Sequence, residues 1–199
     1  MNNENGKSRR REKSDQIKEH RCKNLIAVIE NPTDVRNIGT VIRNVEALGV
    51  EKTYVVDKYN NLPEDWKEMR THTSFTKPSS SAIKWSFVKK FTDSQSCMEH
   101  LETNGFVSVA TSPHTKGKLN VNLDEADFTK HKKLAVWFGN EQNGLSEQAI
   151  ECSESCVNIP MYGLTESLNL GTTTGIVLYE ITKQRRKFVR EKSASKRNA

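Results

Sequence analysis

Apolar positions along the chain fall into short runs separated by stretches with a helical period. Leu25–Glu30 is a β-branched apolar run stopped by Asn31-Pro32 and predicts a buried strand. Ile38, Val41, Ile42, Val45 and Leu48 recur at helical spacing, from a start near Asn37 to a C-cap at Gly49. Thr53–Val56 is the next strand, and the resulting β-α-β unit implies a parallel sheet covered by helices. Residues 57–82 contain Pro63, Pro78 and Ser79–Ser81 and predict a loop with one helical turn. Further strands are expected at Trp85–Phe91, Phe106–Thr111, Leu134–Phe138 and Val157–Pro160. Helices are expected over 93–103, ending at Asn104-Gly105, and over Leu145–Ile150, capped by Ser146. A long C-terminal helix is expected from Ser167 to about Lys192. Residues 112–131 predict a polar connection, residues 9–22 a charged helix, and residues 1–8 disorder. The alternation is that of an α/β fold without internal repeats.

At 199 residues the chain fits one domain that needs neither disulfide nor metal. Cys22, Cys97, Cys152 and Cys156 lack metal-site or Cys-x-x-Cys spacing, which points to reduced thiols in a cytoplasmic protein. No apolar run approaches the ~20 residues of a membrane span, and no secretory signal pattern is visible.

The net charge of +6 is unevenly spread. Residues 1–23 carry +4 and residues 183–199 carry +7, whereas residues 24–182 carry −5. This divides the chain into a basic N-terminal extension, a body and a basic C-terminal extension. Arg9, Arg10, Arg11, Lys13, Lys183, Arg185, Arg186, Lys187 and Arg190 mark the ends. Two such clusters favour a polyanionic partner, although solubilising tails would have the same composition.

Three segments carry more than packing explains. In the first, Asn31–Gly49, a helix starts at the carboxyl end of a strand and places Arg43 among apolar neighbours. An isolated arginine there would ordinarily reach solvent. In the second, Leu134–Ser146, an apolar strand runs into a loop holding Gly139, Glu141 and Gly144. Such glycines permit positive φ and close approach to a ligand, or simply make a turn. In the third, Ile159–Gly175, Glu166, Ser167 and Asn169 precede the run Gly171–Gly175, a poor helix former that needs tertiary support. N-capping by Ser167 would explain one residue of it.

In this order the segments resemble the three motifs of the SPOUT superfamily, most closely its TrmH (SpoU) branch of RNA 2′-O-ribose methyltransferases. Asn37, Arg43 and Ala47-Leu48-Gly49-Val50 resemble the first motif. Gly139-Asn140-Glu141-Gln142-Asn143-Gly144-Leu145 resembles the second. Ile159-Pro160-Met161-Tyr162-Gly163 with Ser167-Leu168-Asn169 resembles the third. The sequence departs from the pattern at Asn140 and at Leu170–Gly175.

The resemblance implies a parallel sheet flanked by helices, with a C-terminal deep trefoil knot. It implies S-adenosylmethionine bound by the knot loops, no metal, and a homodimer. Thr111, Gly139, Ile159, Met161 and Leu168 would then form the cofactor pocket. Arg43 would be the catalytic residue, as base or as stabiliser of the developing alkoxide, with Asn37, Glu141, Ser167 and Asn169 orienting it or the substrate. The arginine and the cofactor would come from different subunits or from one. The layout resembles the tRNA branch that methylates guanosine 18 of the D-loop. Ribosomal RNA, another tRNA position, or a non-catalytic RNA-binding knot protein are the alternatives.

Overall fold

A computed structural model describes residue 12 and residues 15–63, 66–114 and 119–197. The elements are β1 (Cys22–Glu30), α1 (Val35–Ala47), β2 (Val50–Val56), α2 (Trp66–Thr71), α3 (Thr73–Thr76) and β3 (Phe87–Phe91). They continue with α4 (Ser94–Thr103), β4 (Val107–Thr111), β5 (Asn120–Asn122), β6 (Leu134–Phe138), α5 (Glu147–Glu151), β7 (Ser155–Asn158) and α6 (Leu170–Arg197). The seven strands form one sheet in the order β3-β2-β1-β6-β4-β7-β5, and every pairing is parallel.

The central strands β1 and β6 are apolar on both faces because both faces are covered. Leu25, Ala27, Ile29, Leu134, Val136 and Phe138 pack beneath α1 and α6. Ile26, Val28, Ala135 and Trp137 face α4 and α5 instead. The chain builds outward from β1 through β2 to β3, and then returns to the other side of β1 for the remaining strands. That reversal opens a crevice at the carboxyl ends of β1, β6 and β4, where ligands of open parallel sheets bind.

Element boundaries shift where side-chain pattern alone is silent. β1 begins at Cys22 and β2 at Val50, both ahead of their most apolar cores, whereas β3 begins only at Phe87. Asp34 caps α1 by accepting from the Arg36 N–H at 2.8 Å, so the helix starts before Asn37. Gly49 does follow the helix with φ of +72°, as a C-terminal glycine should. Ser146 caps α5 as expected, accepting from the Ala149 N–H. Of the charged segment 9–22, the described part is helical at 15–17 and a 3-10 turn at Lys18–His20. Residues 1–8 lie outside the described residues.

Two stretches differ in kind from the expectation. Residues 57–82 hold α2 and α3, with a further 3-10 turn at Ala82–Lys84. These helices are too short to display a period, and burial of Met69, Phe75 and Ile83 defines them instead. Gly39 of α1 admits this layer: a Cβ there would sit 2.7 Å from Pro78 Cβ. The 112–131 connection contains β5, an edge strand of only three residues. Its polar Asn122 side chain accepts from Asn158 Nδ2 at 3.0 Å.

α6 starts at Leu170, and Asn169 rather than Ser167 supplies the capping oxygen, which accepts from the Gly171 N–H at 2.8 Å. The Gly–Thr run is the crossing point with α1. A Cβ on Gly171 would lie 2.5 Å from Thr40 Cγ2, and buried Thr174 accepts from Asn44 Nδ2 at 3.1 Å. Further along, Arg185 donates to the carbonyls of Phe128, His131 and Lys132, and Arg186 to that of Leu48. Two arginines of the basic C-terminal segment are thus spent on the body of the fold.

The crossing yields a prediction. Gly171→Ala destabilises the protein by about 1–3 kcal/mol in denaturant unfolding, despite alanine's higher helix propensity. Thr40→Ala in the same chain restores most of that loss. Simple addition of the two single-variant effects would contradict the assignment of the clash.

Candidate active site

The β6–α5 loop is built by glycines with different duties. A Cβ on Gly139 would meet Gly144 C at 2.1 Å and Leu145 N at 2.3 Å, so the loop closes on itself only because position 139 has no side chain. The close approach expected of this glycine is therefore to the loop's own backbone. Asn140 and Gly144 exchange backbone hydrogen bonds of 3.2 and 3.1 Å, and Gly144 adopts φ of +69°. Asn140 Oδ1 accepts from the N–H groups of Gln142 and Asn143. This departure from the motif supplies its own turn.

The closed loop holds Glu141 toward the β1–α1 connection. One carboxylate oxygen accepts from the Thr33 N–H at 3.2 Å and the Thr33 hydroxyl at 2.6 Å. The other accepts from Asn37 Nδ2 at 2.5 Å. Burial pushes the Glu141 carboxyl up, but the bonds from Thr33 and Asn37 outweigh it and hold it below the ordinary value. Asn37 Oδ1 in turn accepts from Asn169 Nδ2 at 3.2 Å. The Asn169 amide is oriented by its cap, since Oδ1 faces the Gly171 N–H and leaves Nδ2 for Asn37. One chain of hydrogen bonds thus joins all three sequence segments.

Beside it opens a cleft of about 580 Å³ at the carboxyl ends of β4, β6 and β7. The five residues expected to hold a cofactor, Thr111, Gly139, Ile159, Met161 and Leu168, all line it. Glu141, Ser167 and Asn169 line it as well. The Thr111 hydroxyl donates to the Trp137 carbonyl at 2.7 Å, which fixes the ends of β4 and β6 to each other. Ser167 makes no hydrogen bond with another described residue, so its hydroxyl stays available at the cleft wall.

Asn37 and Arg43 do not line the cleft. Asn37 reaches it through Glu141 and Asn169. Arg43 is exposed on α1, and among the described residues it makes no hydrogen bond or ion pair. Six residues of helix put it about 9 Å along the axis from Asn37, on a face turned by about 120°. Sequence reasoning missed three contributors: Thr33, His114 and Glu30. Thr33 clasps Glu141, and His114 lines the cleft. Glu30 accepts from the Ser146 N–H at the end of the loop. A carboxyl ending an otherwise apolar strand was the available signal for Glu30. Among the described residues no group of His, Cys, Asp and Glu side chains is placed to hold a metal, and no helix is long and apolar enough to cross a membrane.

Residues 24–179 match the SpoU rRNA Methylase family. The tRNA (guanosine(18)-2′-O)-methyltransferase of Aquifex aeolicus is 32% identical, over 85% of this chain and 74% of its own. The 23S rRNA (guanosine-2′-O-)-methyltransferase of Shewanella oneidensis is 30% identical, over 81% of this chain and 60% of its own. The solved A. aeolicus TrmH/SpoU tRNA modifying enzyme superposes with a TM-score of 0.72 at 27% identity, over 88% of this chain and 84% of that one. The SpoU methyltransferase AviRb of Streptomyces viridochromogenes, solved with AdoMet, gives 0.69 over 83% of this chain and 62% of that one. Its 24% identity bears on the fold alone. Matched over most of its length, with the three motif segments drawn into one hydrogen-bonded site, the chain belongs to the SpoU rRNA methylase family and is a methyltransferase.

Proposed function

We propose that the protein methylates a ribose 2′-hydroxyl of RNA from S-adenosylmethionine, with guanosine 18 of the tRNA D-loop as its target. The observation that carries this reading is the convergence of Asn37, Glu141 and Asn169 at a cleft of cofactor size. The cleft suits such a ligand: Ile159, Met161 and Leu168 offer apolar walls, and an ionised Glu141 offers a counter-charge to a sulfonium. When bound, S-adenosylmethionine supplies the methyl group. The chain's own groups must then position the hydroxyl and take up the charge that develops on its oxygen. Arg43 is suited to that charge, since a guanidinium stays cationic and can clamp an adjacent phosphate. Thr33, Asn37 and Asn169 hold Glu141 and the cleft wall in place.

The exposure of Arg43 supports a homodimer in which the arginine of one subunit serves RNA bound at the other subunit's cleft. A second cavity of about 650 Å³ between α1 and α6, with exposed Tyr162, Ile176 and Tyr179 at its wall, offers the apolar surface such a pairing would cover. The trefoil knot belongs to the same reading. It is supported by the 126–132 segment strapped across α6 through Gln184 and Arg185. We assign residues 24–182 to the methyltransferase domain, with basic extensions 1–23 and 183–199 that bind RNA phosphates, in a cytoplasmic setting. On α6 the exposed Arg190 and Lys192 are the cations placed for that contact. The resemblance to the Shewanella enzyme keeps ribosomal RNA as the second reading.

The direct test incubates the protein with methyl-labelled S-adenosylmethionine and an unmodified tRNA transcript, and maps the label by nuclease digestion. Label on the 2′-oxygen of guanosine 18 is the expected result. Label on ribosomal RNA alone would favour the second reading.

Two variants probe the roles. Arg43→Ala reduces methyl transfer by at least about 100-fold, the scale of losing one stabiliser of a developing oxyanion, while calorimetry shows S-adenosylmethionine bound as before. Glu141→Gln weakens cofactor affinity about tenfold, because its amide group cannot accept from both Thr33 and Asn37. Its pH dependence follows from the lowered native pKa. The stability that Glu141 contributes is fully present above the ordinary carboxylate range and is lost as pH falls through the native value. The stability gap between wild type and Glu141→Gln therefore stays constant from neutral pH to about pH 5 and closes below it.

A further inference from the structure

Glu30 is the last residue of β1, and only 1% of it is exposed. By strand alternation it shares the face of β1 that carries Ile26 and Val28, whose apolar cluster also includes Cys97, Trp137 and Ala149. Packing alone would put an apolar residue there. Instead its carboxyl group accepts three hydrogen bonds: from the Ser94 hydroxyl, from the Ser146 N–H at 2.7 Å, and from the Ser146 hydroxyl at 2.7 Å. The Ser146 hydroxyl accepts in turn from the Ala149 N–H and so caps α5. A buried polar group with its partners in place fixes one arrangement, whereas an apolar contact tolerates sliding.

What it fixes is the loop at the cleft. Ile29 pairs with Phe138 across the sheet, which sets Glu30 level with Gly139, where the loop begins. Ser146 is where the loop ends. Three residues beyond Glu30, Thr33 clasps Glu141 in the middle of the same loop. The end of β1 and the connection that follows it therefore grip the loop at its end and at its centre, and Glu30 makes the grip at the end.

We propose that Glu30 is a positioning residue for methyl transfer. By holding Ser146 it sets where the 139–145 loop stands against the cleft, and thereby where Glu141 stands relative to the cofactor. This rests on the methyltransferase reading, since the loop's position matters through the ligand it lines. Glu30 touches no substrate; it acts through Ser146.

The test compares wild type with Glu30→Ala, Glu30→Asp, Glu30→Gln and Ser94→Ala. Hydrogen exchange reads the loop amides 140–146, and steady-state kinetics vary S-adenosylmethionine and tRNA separately. Aspartate withdraws the carboxyl by one methylene and is the informative variant if alanine does not fold. Both are expected to speed loop exchange while β4 and β6 amides keep their protection. Both raise KM for the cofactor about tenfold, with KM for tRNA unchanged within about twofold. Glutamine recovers most of the effect, because its carbonyl can accept from the Ser146 N–H while both serine hydroxyls turn to accept from its amide. Ser94→Ala leaves both grips on Ser146 and shifts neither KM. Unchanged loop exchange in a folded alanine or aspartate variant would overturn the inference, as would a parallel rise of both KM values. A wild-type protein that transfers no methyl group would overturn the function instead, and loop exchange would still decide the role of Glu30.

Discussion

The arrangement depends on one carboxylate. Glu141 sits on a loop that starts beyond the last paired residue of β6, outside the sheet's hydrogen-bond ladder. Its bonds to Thr33 and Asn37 draw the second segment onto the first, and Asn37 passes the contact to Asn169 in the third. Each bond alone is modest, because the site is open to water at its mouth. Their joint effect is geometric: the first stretch shares one cleft with two others that lie more than a hundred residues further along the chain. The all-parallel sheet is the precondition, since it delivers the carboxyl ends of β1, β6, β4 and β7 to the same side.

Most of the frame was legible because its signals are strong and local. β6 was read to its exact ends, since a strand buried on both faces shows as an uninterrupted apolar run. α1 showed its period because one face is buried along its length. The short helices α2 and α3 and the three-residue β5 carried no such signal. They exist through tertiary contacts, Phe75 and Pro78 against α1 in one case and β7 in the other. The start of α6 was misplaced by three residues because both Ser167 and Asn169 are good capping types, and only the fold decides between them.

At the site, the residue types were readable but their division of labour was not. The cofactor-side residues expected from the motifs all border one cleft, whereas Arg43 does not and lies exposed on α1. Gly139 announced a tight approach, but the partner is its own loop. Glu30 was read only as part of a buried strand, and the structure shows its carboxyl group held by two serines. Charge counting also overstated the free cations. Arg185 and Arg186 are committed to backbone carbonyls, so α6 offers fewer uncommitted cations than its sequence suggests.

A double-mutant cycle on Asn37 and Glu141, read by calorimetric binding of S-adenosylmethionine, tests most directly whether these segments act as one site. Asn37→Ala and Glu141→Ala should each weaken binding. Combining them should cost less than the sum by about 1 kcal/mol or more, the coupling expected of a direct charge-assisted bond. Losses that simply add would mean that the two residues serve the cleft independently, and would contradict the clasp as the basis of the site.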